Sequence, residues 1–107
     1  MEQNTIEKIE EKIRTNKSLN ESDKTQLLNL LAALKPEMVK LSKDHAESVA
    51  GFIERSTHEA LRQQKNPTLL KLSIDGLSAS VKDFEASHPQ LVENVNNIAS
   101  ALANIGI

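Results

Sequence analysis

Residues 70–107, LKLSIDGLSASVKDFEASHPQLVENVNNIASALANIGI, decide the fold. Leu70, Ile74, Leu77, Val81 and Phe84, followed by Leu91, Val95, Ile98, Leu102 and Ile105, recur at alternating steps of four and three. On a helix of about 3.6 residues per turn these side chains share one stripe, and the stripe must be covered by another surface. The phase passes unbroken from Phe84 to Leu91, so one kinked helix and a pair of helices satisfy the pattern equally. Ser87-His88-Pro89 favours a break, because a pre-proline residue avoids the α region and proline suits the first position of a new helix. At the end of the chain, Gly106 is expected to cap the last helix in a left-handed conformation, with Ile107 folding back beyond it.

The same period extends towards the amino terminus. Ile6, Ile9 and Ile13 among Glu and Lys describe a short amphipathic helix over about 3–16. Asn16 to Asn20 reads as a loop, and Asn20 and Ser22 are alternative N-caps for the next helix. Leu27, Leu31, Leu34, Met38 and Leu41 then continue the stripe in phase through Pro36, which predicts one long element over 21–64, kinked near the proline. Within it Ala46, Val49, Ala50, Ile53 and Ala60 form a thin stripe of mostly small residues. Gly51 either weakens this helix or admits a close neighbour. Asn66-Pro67 marks a restart, giving helices over about 67–86 and 89–105.

The expected fold is therefore all-α and a single domain over 1–107. It is a bundle or set of hairpins with long amphipathic helices, packed like a coiled coil in an oligomer. Composition agrees with this reading. Hydrophobic residues at 38% and charged residues at 26%, with a net charge of −2, describe a chain that folds. Three Gly and three Pro offer too little turn chemistry for a many-stranded sheet. With two Phe and no Trp or Tyr, the core has to be aliphatic.

Several functions are disfavoured. The absence of Cys removes disulfides and thiolate metal sites. The amino terminus, MEQNTIEKIEEK, lacks the basic and apolar regions of a secretion signal, and no run approaches a membrane span, so a cytoplasmic location is expected. Basic residues are interleaved with acidic ones throughout, which argues against nucleic acid and against a membrane surface. Glu85 and His88 have the Glu-x-x-His spacing of di-iron bundles, but the second copy that this chemistry needs is missing. Glu54 with His58, and His45 beside Asp44 and Glu47, are scattered hard ligands that read better as a solvated surface. No Gly-x-Ser-x-Gly elbow is present. Arg14, Arg55 and Arg62 lie among acids instead of facing a common anion. No catalytic residue, metal or cofactor is expected.

One feature exceeds simple periodicity. After Glu93 the chain carries no charge, so the last helix has an apolar face and a face of Asn, Ser and Ala. This suggests an interface that includes Leu91, Val95, Ile98, Leu102 and Ile105 with Asn94 and Asn97; the alternative is a helix buried within its own chain. The functional expectation is a non-enzymatic, self-associating helical protein, a dimer before other oligomers, that presents its charged middle helix to a protein partner. The alternative is a small helical enzyme or ligand-binding protein with a pocket between helices that uses Arg55, His58, Arg62 or His88.

The carboxy-terminal run resembles the end of a family of small bacterial proteins, domain-of-unknown-function family 4404. Asp75-Gly76-Leu77, Phe84-Glu85, Ser87-His88-Pro89, Leu91 and Leu102-Ala103-Asn104-Ile105-Gly106-Ile107 carry the resemblance. Leu19 with Asn20-Glu21-Ser22-Asp23 and Leu27 to Leu34 is similar to the family's first half. The resemblance implies an all-helical bacterial protein and no particular activity.

Overall fold

Asn20, Ser42 and Asn66 each stand one residue before a helix and accept a hydrogen bond from the backbone amide three residues on, at Asp23, His45 and Leu69. Such side chains satisfy an amide that the first turn leaves without a partner, and so fix where each helix begins. The computed structural model describes residues 2–106, which form α1 (Glu2–Thr15), α2 (Glu21–Met38), α3 (Lys43–Ala60), α4 (Pro67–Val81) and α5 (Pro89–Ile105). A single 3₁₀ turn, Lys82–Phe84, follows α4. There is no strand among the described residues, and the fold is all-α.

The expectation of one kinked helix over 21–64 is corrected. Pro36 lies inside the last turn of α2, and Leu27, Leu31, Leu34 and Met38 keep their common face through it. The chain then turns through i+3 hydrogen bonds from Lys40 to Glu37 and from Leu41 to Met38, and Ser42 starts a separate helix. Periodicity missed the break because Leu41 stays in phase and packs, half-buried, against the core. The expected helix over 67–86 also ends earlier, at Val81.

α2 packs on α1 and α5, α5 on α4, α4 on α3, and α3 on α1, closing a ring that α3 and α5 bridge by their own contact. The radius of gyration is 12.8 Å, close to the ~13 Å of a compact domain of this size. Between the helices lies an aliphatic core that includes Ile6, Ile13, Leu27, Leu31, Leu34, Ile53, Leu77, Leu91, Ile98 and Leu102. The stripe on α3 is wider than its small residues suggest, since Ser56, Thr57 and Glu59 are buried beside it. Ser56 donates its hydroxyl to the carbonyl of Ser73 across the α3–α4 contact, at 3.0 Å. Glu10, buried on α1, is neutralised by Lys35 of α2 at 2.7 Å.

Gly106 is right-handed, with φ −82°, which corrects the expected left-handed cap. Space explains the glycine instead, because a Cβ there would collide with the Leu70 side chain and crowd Ala60. Ile107, expected to fold back, lies outside the described residues. Gly51 is the reverse case, since a Cβ there would meet nothing within 4 Å.

Gly51→Ala is therefore expected to stabilise the fold by about 1 kcal/mol, measured by urea unfolding in dilute protein. Ile98→Asp places an unpaired charge in the core and is expected to abolish the cooperative unfolding transition followed by circular dichroism.

Candidate functional site

The residues expected at an interface are mostly spent inside the chain. Leu91, Val95, Ile98 and Leu102 lie in the chain's own core, and Ile105 packs half-buried against it. Asn94 is buried as well. Its side-chain amide donates to the Ala33 carbonyl at 3.2 Å, and its oxygen accepts from Gln90 at 3.1 Å. Ala33 lies in the turn of α2 that Pro36 disturbs, one residue from the carbonyl left without its amide donor. Asn97 is exposed, as are Asn96, Ser100 and Asn104. Packing against α2, α3 and α4 thus accounts for the apolar face of α5, while its Asn and Ser face is left exposed.

Of the residues named for a pocket, only Arg55 and His58 line a common cleft. Arg62 is held by Glu59 at 3.0 Å. His88 stands at the start of α5, where its ring and that of His45 meet Phe84 edge-on with centroids 5.8 and 5.0 Å away. His58 is on the same helix as His45, ~20 Å further along at about 1.5 Å per residue. Arg55 and His58 share a cleft of about 420 Å³ with Lys12, Glu54 and Glu59. No group of three or more His, Cys, Asp or Glu that could hold a metal exists among the described residues. None of the helices is long and apolar enough to cross a membrane.

What α3 and α4 leave uncovered is apolar. Leu72 is 62% exposed, Leu69 41% and Phe52 37%. They line a groove of about 620 Å³ with Gly51, Glu54, Arg55, Glu59 and Ser73. This groove and the cleft at Lys12 share Gly51, Glu54, Arg55 and Glu59, so they form one continuous depression along α3. Its floor is low because Gly51 has no side chain. Phe52 leans over Gly76 of α4, where a Cβ would come within 2.7 Å of the ring. Among the described residues neither Glu54 nor Arg55 has an ion-pair partner, and they sit side by side at the groove's edge. Sequence reading missed this surface by following only the dominant stripe. The signal was present in Leu69 and Leu72, which lie off the face of Leu70, Leu77 and Val81.

The family described as Domain of unknown function (DUF4404) has a model that matches residues 3–107. No curated protein and no solved structure matches the chain.

Asn94→Ala removes one buried hydrogen-bonding side chain and is expected to cost about 1 kcal/mol of stability. Size-exclusion with light scattering should find its oligomeric state unchanged, in keeping with a contact internal to the chain.

Proposed function

We propose that this chain, which belongs to the DUF4404 family, is a non-enzymatic helical module that pairs with a second copy of itself through the α3–α4 face. The exposed cluster of Phe52, Leu69 and Leu72 around the open backbone of Gly51 carries this reading. Large aliphatic and aromatic side chains grouped at one groove lose most by staying in water, and their burial drives association.

Charge favours a like partner. A two-fold axis brings a surface patch against its own copy, so the patch must complement itself. Glu54 and Arg55 can meet that condition, since a two-fold axis running between them sets the acid of each copy opposite the base of the other. A strongly basic or acidic partner would leave one of the two facing a like charge. Gly51 adds room for a second helix to approach α3 closely. The face has little to offer catalysis, because Lys12 and Arg55 share the depression with Glu54, Glu59 and His58 and surround no enclosed cavity.

Leu72→Glu is expected to convert the protein to a monomer in light scattering while changing its stability by no more than about 0.5 kcal/mol, as is usual for exposed positions. Arg55→Glu should weaken the dimer, and adding Glu54→Arg should restore it. A wild-type chain that stays monomeric at tens of micromolar, or a charge swap that fails to restore pairing, would overturn the proposal.

A further inference from the structure

On its α5 side, α4 borders a second unfilled space. Pro67, Leu70, Lys71 and Ile74 follow one another at helical spacing and face Ala103 and Gly106 in the last turns of α5, with Lys65 at the end. The space amounts to about 420 Å³, within the ~300–1,000 Å³ of small-molecule sites. Leu70 packs closely over Gly106, so the opening is left chiefly where the methyl of Ala103 faces Ile74. The walls are nearly all carbon, and the lysine stems add methylene groups to them.

The rim is cationic. Lys65 donates its ammonium to the Ala60 carbonyl at the end of α3, where the negative end of the helix dipole favours a cation. Lys71 donates to Asp75 at 2.9 Å, and this hydrogen bond, reinforced by the carboxylate's charge, raises its pKa above the ordinary lysine value. Among the described residues no carboxylate lines this cleft, whereas Glu54 and Glu59 line the α3–α4 depression. The cleft is thus carbon-walled, with two lysines at its rim, one of them paired with Asp75.

We infer that this cleft binds an anionic amphiphile, a medium-chain carboxylate whose alkyl chain lies along Leu70 and Ile74 against Ala103 while its head group meets Lys65 and Lys71. The apolar walls reward chain length and the rim selects the sign of the head group. Neither property depends on pairing through the α3–α4 face.

Titration of the full chain with decanoate below its micelle concentration, followed by amide NMR, tests the inference. Saturable shifts are expected at Leu70, Ile74, Ala103 and Gly106. Octanoate, with two fewer methylenes, should bind about tenfold more weakly, and decyltrimethylammonium should not bind at the cleft. Ala103→Leu fills the space and should abolish the shifts; Lys65→Glu, at an exposed position, should weaken decanoate whether or not the first variant folds. Asp75→Asn frees Lys71 of its competing carboxylate and should tighten binding. Shifts that do not saturate, that centre on Phe52 and Leu72, that are as large with the cationic amphiphile, or that survive in a folded Ala103→Leu variant would overturn the site, as would no response to decanoate.

Discussion

Mutual burial of aliphatic stripes is the constraint on which this structure rests. The helices run from 14 to 18 residues, lengths at which an isolated helix is marginal in water. Each is held by the apolar face that it shares with its neighbours. Because the contacts close into a ring bridged by α3 and α5, the loss of one helix exposes the faces of at least two others. The core contains no Trp or Tyr, so Leu, Ile and Val do this work by interdigitation. Alanines at Ala46, Ala50 and Ala60 let α3 lie close to its neighbours.

Polar contacts among the described residues sit between these hydrophobic ones and join different pairs of helices. Glu10 and Lys35 join α1 to α2, Ser56 and the Ser73 carbonyl join α3 to α4, and Asn94 with the Ala33 carbonyl joins α5 to α2. Aliphatic packing tolerates a slip of one helix along another more readily than a buried polar group tolerates losing its partner. These contacts therefore favour one register for each pair. The Asn94 contact also turns a local irregularity to use, since the proline that disturbs α2 does so beside a carbonyl that α5 can reach.

The surface left over is divided by charge. The α3–α4 groove has charges of both signs beside an apolar centre, which suits a copy of the same chain. The α4–α5 cleft has Lys65 and Lys71 at its edge, the second paired with Asp75, and suits an anion with an apolar body. The two lie on either side of α4, whose Leu69 and Leu72 look one way and whose Leu70 and Ile74 look the other. α4 carries more aliphatic residues than one stripe needs, and the surplus creates the exposed patch.

The sequence by itself determined the helical class and most of the core, because a side chain's place on a 3.6-residue spiral follows from its number alone. It also placed the starts of α4 and α5, where proline and its preceding residue restrict the backbone locally. The separation of α2 from α3 was not legible, since Leu41 keeps the phase and Ser42 shows itself as a cap only once the chain has turned. The fate of α5 was undecided for a similar reason. An uncharged helix is equally suited to a partner's surface and to its own chain's interior, and only the packing of α2, α3 and α4 on it put its apolar face inside and left its Asn and Ser face in the open. The exposed groove and the cleft also belong to tertiary structure, because an empty space is defined by side chains that are distant in sequence and too small to meet.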